Sequence, residues 1–306
     1  MMLRLGGSLA VALLVCTAGA APIGGQEPAP QRGGSPLNPD ISAVGELLAD
    51  LSPEEPAFTE GERLEVREVE IGLQAVVDAY LRADFFIGLH EGAAEIEEAY
   101  LTALSLPWGL QARAGHFLVP FGKVNRTHRP ELRTVDYPLV LRAYLDPEGL
   151  AETGIWLSRL FAPFGFFQEL DLLVLSGLGG DARAHGHGED EEADGEEPLR
   201  PDRDLSEEIA VLAHLRNYWD LSAAANIELG FSAGRGTRER LEPLCGAPGR
   251  PPCDPLGPVD AVVLERRTLL GADLTVRWRP PARALYRSFV WNTELVHDRT
   301  PAGARW

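Results

Sequence analysis

Long stretches of this chain alternate apolar and polar residues one for one, and that period constrains its fold more than any other feature. Val69, Ile71, Leu73, Ala75 and Val77 alternate with Glu70, Gly72, Gln74 and Val76. After a break at Asp78-Ala79 the pattern resumes, with Leu81, Ala83, Phe85, Ile87 and Leu89 set against Arg82, Asp84, Phe86, Gly88 and His90. Leu221, Ala223, Ala225, Ile227, Leu229 and Phe231 repeat it, and the cleanest run is Arg267 to Arg279. There Thr268, Leu270, Ala272, Leu274, Val276 and Trp278 oppose Arg267, Leu269, Gly271, Asp273, Thr275, Arg277 and Arg279. Strand side chains point alternately to opposite faces, so each run predicts a β-strand with one apolar and one polar face. Runs of about 9–12 residues exceed the usual globular strand and match a tilted bilayer crossing. No apolar run reaches the roughly 18 residues of a membrane helix, so a helical membrane protein is excluded.

A soluble β-sandwich also alternates, and connection lengths separate the two cases. Short turns are expected at Asp78-Ala79, Pro107-Trp108, Ala162-Pro163, Tyr218-Trp219 and Pro280-Pro281. Between them lie long segments at 120–150, 178–205 and 233–258, and a shorter one near 91–94. Short turns on one rim and long loops on the other mark an antiparallel transmembrane β-barrel. Strands are expected near 41–50, 64–77, 80–90, 95–106, 109–118, 151–161, 164–176, 206–217, 220–232, 261–279 and 283–297. That is about eleven, where a bacterial barrel has an even number and ends on a strand with a terminal aromatic. Residues His297 to Trp306 do not alternate, so the barrel is expected to be C-terminally incomplete, with about 12–16 strands in full.

The ends and the composition agree with export. Arg4, the apolar stretch Leu9 to Cys16 and the small residues Ala18 to Ala21 form a signal-peptide pattern over residues 1–21. Residues 22–40, rich in Pro, Gly and Gln, read as a flexible leader, and 41–306 as the barrel. Cleavage would leave Cys245 and Cys253 around a turn-rich segment, expected to pair as a loop disulfide in an oxidising compartment. A net charge of −18 argues against nucleic acid as a partner. The chain is 45% hydrophobic, as a barrel that is apolar outside and polar inside would be on average.

Two segments resemble a known group. Asn38-Pro39-Asp40-Ile41-Ser42 resembles the opening of the first strand in bacterial outer-membrane porin-like proteins, some of them labelled zinc-regulated or TonB-dependent receptors. The stretch Leu110 to Lys123, with Gly115-His116-Phe117 and Pro120-Phe121-Gly122, resembles the strand-to-loop segment of phosphate-selective-type porins. The resemblance covers residues 38–180 and implies an outer-membrane barrel with a pore. Its partners would be outer-membrane lipid and lipopolysaccharide, the barrel-assembly machinery and small solutes, with both a monomer and a homotrimer open. A TonB-dependent transporter carries a plug domain before its barrel of about 22 strands. Only about twenty residues separate the expected cleavage site from Ile41, too few for such a plug.

The expected functional residues are charges placed on the inner face. Glu68, Glu70, Arg82, Asp84, Arg113, Glu169, Asp171, Arg216, Glu228, Asp273, Arg277 and Arg279 would line a wet lumen, since each charge is costly against lipid. The segment 120–150 carries Lys123, Arg126, Arg129 and Arg133, expected to fold inward as a constriction that favours anions. A solvated surface loop is the alternative for that segment. In residues 185–197, His185, His187, Glu189 and Asp190 could trap zinc or another divalent cation weakly, with a plain acidic loop as the alternative. No nucleophile elbow, Walker loop or His-Glu-x-x-His motif is present, and His214 and Ser222 both face inward, so no enzyme is expected. The expected function is therefore passive diffusion of small polar or charged solutes, with no required cofactor. A non-conducting receptor that captures divalent metal through the His/acidic loop is the alternative.

Overall fold

The computed structural model describes residues 10–12, 39–51, 63–90, 93–179, 209–243, 260–283, 286–300 and 303–305. It is an all-β protein, a single antiparallel sheet of thirteen strands in which every strand pairs with its sequence neighbours. The strands are β1 (Ala10–Ala12), β2 (Asp40–Asp50), β3 (Leu64–Val76), β4 (Leu81–His90), β5 (Ala93–Leu106) and β6 (Leu110–Leu118). They continue as β7 (Ala151–Phe161), β8 (Phe167–Leu175), β9 (Ala210–Ser222), β10 (Ala225–Pro243), β11 (Asp260–Trp278), β12 (Phe289–Thr300) and β13 (Gly303–Arg305). The long strands β2 to β12 answer to the eleven expected segments one for one, but bounds shift: β9 and β10 begin later than expected, β12 spans Phe289–Thr300 rather than 283–297, and the short β13 lies in the end expected not to alternate. Apart from Ala10–Ala12, which pair with Leu48 to Asp50, the expected signal peptide and leader lie outside the described residues up to Asn38.

Two turns show the local chemistry at work. Between β3 and β4 the Tyr80 amide donates to Asp78 Oδ1 at 2.7 Å, an Asx-type turn. Between β9 and β10 the structure corrects the expected boundary: the reversal lies at Ala223-Ala224, not at Tyr218-Trp219. The Ala224 amide donates to Ser222 Oγ at 3.2 Å, while Trp219 stays in the ladder opposite Ile227. Aromatics favour strands and serine favours turns, which explains the shift. At the other rim β10 runs on to Pro243, well past the expected end.

The segment 119–150, between β6 and β7, fixes the shape of the sheet. At one end of the strand order, Arg67 of β3 ion-pairs with Asp136 at 2.9 Å. At the other end, Glu294 of β12 accepts from the Lys123 and Val124 amides at 2.8 and 2.7 Å. A short helix α1 (Leu139–Tyr144) within the segment also packs on β12. One compact segment touching both ends of the sheet requires the sheet to curl around it. A sheet of this many strands encloses more space than wall side chains can fill, and the segment occupies part of it.

Polarity is inverted relative to a water-soluble protein. On the face turned to the inserted segment, Glu68, Glu70, Asp84, Asp171, Glu228 and Asp273 are all buried. On the opposite face Leu101, Ile155, Leu172, Val211, Leu270 and Trp291 are exposed. The apolar core is local and forms where the inserted segment meets the wall. Phe121, Tyr137, Leu141, Leu145 and Leu150 pack there with Phe117, Trp156, Leu173, Leu178 and Leu269. Gly271 makes this docking feasible, because a Cβ there would stand 2.7 Å from Phe121 Cζ.

Candidate functional site

The inserted segment is stapled at its base by Asn125. This buried side chain donates to the carbonyls of Val119 at 2.8 Å and Leu150 at 3.0 Å, and accepts from the Leu150 amide at 2.7 Å. Farther along, the Tyr137 hydroxyl donates to the Thr127 carbonyl at 2.7 Å. The segment is thereby held against the inner face of the curled sheet, with charged walls on either side.

The wall of β8 to β12 carries mixed charge. Lys123 Nζ lies 2.6 Å from Glu228, which also receives Arg277 at 3.2 Å. Arg216 pairs with Glu169, and Arg126 approaches Glu169 at 3.7 Å and Asp171 at 3.8 Å. Asp171 accepts from Trp156 Nε1 at 2.9 Å, and Arg113 stacks 3.9 Å from the Tyr100 ring centroid and 4.5 Å from that of Trp156. Between these groups lies a cavity of about 220 Å³ lined by Lys123, Arg126, Thr127, His214, Arg216 and Glu228. Burial pulls the Lys123 ammonium below its usual range, against the pull of Glu228. His214 bonds Ser232 at 2.8 Å rather than Ser222, and Ser232 Oγ in turn accepts from the Gly122 amide at 3.0 Å.

The wall of β3 to β5 is acidic with histidines, and two β-bulges build it. In the β4–β5 ladder Phe86 pairs with Glu98 and Ile87 with Ile96, which leaves Glu97 as the extra residue. A bulge of this kind re-aims a side chain, and here both Glu97 and Glu98 reach the lumen. They meet at His128 of the inserted segment, Glu97 at 3.0 Å from Nδ1 and Glu98 at 2.9 Å from Nε2, with Glu70 at 3.0 Å from Nδ1. Burial alone would lower the His128 pKa, but the carboxylates outweigh it and raise it to about 12, so the ring is an imidazolium at neutral pH. The Phe86 ring caps it at 4.6 Å between centroids. The second bulge, at Arg67 opposite Glu46 and Leu47, turns that guanidinium toward Glu46 and Asp136. Beside this cluster the ligand atoms of Glu68, His90 and Glu97 all lie within 4.8 Å of one another, as do those of Glu70, Glu97 and His128.

Glu70, Arg82, Asp84, Arg113, Glu169, Asp171, Arg216, Glu228, Asp273 and Arg277 sit on the inner face, where period-two register puts them. Arg279 follows the last residue of β11 and is exposed at the short-turn rim, its amide donating to the Ala224 carbonyl at 2.7 Å. Of the five Lys and Arg residues in 120–150, Lys123, Arg126 and Arg129 turn toward the inner face of the sheet, Arg129 pairing with Glu148 at 2.5 Å, while Arg142 pairs with Asp136 at 3.6 Å. Arg133 is exposed. His185, His187, Glu189 and Asp190, and likewise Cys245 and Cys253, lie outside the described residues. Sequence reasoning missed Glu97, Glu98, His90 and His128, whose convergence depends on a bulge and a long-range loop contact.

No family model matches the chain. An uncharacterized protein of Aquifex aeolicus is 36% identical over 108 residues, which is 35% of this chain. The match spans 23% of that protein, about a quarter of its length.

Proposed function

We propose that the chain is an outer-membrane porin-like barrel through which small polar or charged solutes diffuse passively. One observation carries the reading: exposed apolar side chains cover the outer face, while the charges are buried against the interior. That inversion suits a lipid surround and a wet lumen, since charge on a lipid-facing wall costs several kcal/mol. The groove of about 500 Å³ on the outer face, lined by Ile155, Leu157, Leu172, Val174, Val211 and Leu270, fits acyl chains by the same logic. Selectivity would come from the slot beside the inserted segment, where Lys123, Arg126 and Arg216 face Glu169, Asp171 and Glu228 across a short gap.

Single-channel recording in a planar bilayer tests the reading. Discrete open steps are expected. Replacing Lys123 and Arg126 together with Ala should shift the reversal potential toward cations by removing two positive charges that line the slot. A folded barrel that inserts but gives no steps would sink the channel assignment. An unchanged reversal potential would remove these two side chains from the selectivity filter.

A further inference from the structure

We infer that Glu68, His90 and Glu97 form a binding site for a divalent first-row transition-metal ion on the inner wall of β3 to β5. Three donors from three consecutive strands converge within 4.8 Å, close enough for a single ion to touch all of them. Such an ion would keep a further coordination position open toward the lumen. This assignment stands apart from the channel reading and needs only the folded wall.

The histidine is oriented for ligation. Its Nδ1 lies 3.3 Å from the Arg67 carbonyl, which can only accept, so Nδ1 is the donor there and Nε2 is the nitrogen left for a metal. A carbonyl behind the imidazole is the usual way proteins orient a metal-bound histidine. The space is kept open by Gly88: a Cβ there would stand 2.9 Å from His90 Nε2 and collide with Glu97 Oε1. Glu97 therefore offers Oε1 on this side while its Oε2 holds His128.

Glu68 supplies an independent pointer. The residue is 1% exposed, and its Oε1 is buried with no hydrogen-bond donor. Arg129, its cation, is 3.9 Å from the other oxygen. Two carboxylates so close cannot both stay charged without a proton or a cation between them, and a metal ion would take the place of that proton. One imidazole with two carboxylates suits zinc, iron, manganese or cobalt, whereas calcium and magnesium favour all-oxygen shells.

The test uses the full chain folded in detergent, stripped with chelator and titrated calorimetrically with zinc chloride. A His185→Ala/His187→Ala background silences the histidine-rich segment. About one equivalent should bind in that background, and His90→Ala and Gly88→Ala should each weaken it at least roughly tenfold. Heat-modifiable gel mobility monitors the fold. Should a variant fail to fold, cobalt absorbance of the background chain, with or without Glu97→Gln, gives the same decision. No saturable zinc heat in the background chain, or heat indifferent to these substitutions, overturns the site. Conductance is recorded separately, so a silent barrel that binds zinc defeats only the channel reading, and a conducting one that does not defeats only the metal site.

Discussion

At the scale of single residues, the inner wall depends on a few side chains that satisfy several neighbours at once. His128 is the clearest, one imidazolium among Glu70, Glu97 and Glu98. Replacing it with Gln keeps the volume and some hydrogen bonding but removes the charge, stranding three partly or fully buried carboxylates. Removing one partner of a buried pair costs about 3–5 kcal/mol. The midpoint of denaturant unfolding should fall accordingly, and an unchanged midpoint would mean that water already screens this corner. The same cluster shows why its members escaped sequence reading. Strict alternation would send Glu97 and Glu98 to opposite faces.

At the scale of elements, the decisive piece is the inserted segment rather than any strand. Asn125 closes its base with both ends of the amide, so Asn125→Ala would leave the Leu150 amide buried without its acceptor, while the Val119 and Leu150 carbonyls keep the Phe121 and Val119 amides. Such an orphan costs about 1–3 kcal/mol. The segment should become sensitive to limited proteolysis while far-UV circular dichroism of the strands stays unchanged. Cleavage as slow as in the parent chain would place the anchoring elsewhere, with the Phe121–Gly271 contact the next to test. The basic character of residues 120–150 was legible in the sequence. Its division was not: Lys123 and Arg126 face the slot, Arg129 lies between Glu148 and Glu68, and Arg133 is exposed.

At the scale of the whole molecule, the argument turns on which solvent surrounds the outer face. Leu172 is 49% exposed on β8, away from the inserted segment. In water, Leu172→Arg would be nearly neutral, as most surface substitutions are. At a bilayer midplane an arginine on the lipid face costs about 2–4 kcal/mol. Folding into lipid vesicles, followed by heat-modifiable gel mobility, separates the cases. Loss of folded yield for Leu172→Arg, with Arg126→Ala folding normally, is the expected outcome. Equal yields would favour a water-soluble curved sheet.

The sequence by itself determined the strands, their order and most of their facing. Alternation is a local property, and in a meander each strand pairs with its neighbour along the chain. Asp84, Asp171, Glu228 and Asp273 could thus be placed inside from spacing alone. The tertiary structure alone decided where register slips at Arg67 and Glu97, and which strands the inserted segment meets. A bulge shifts a face by one residue without altering composition, and a contact such as Lys123 to Glu294 joins groups 171 residues apart. Neither leaves a period in the sequence, because both are set by how the whole sheet curls around what it encloses.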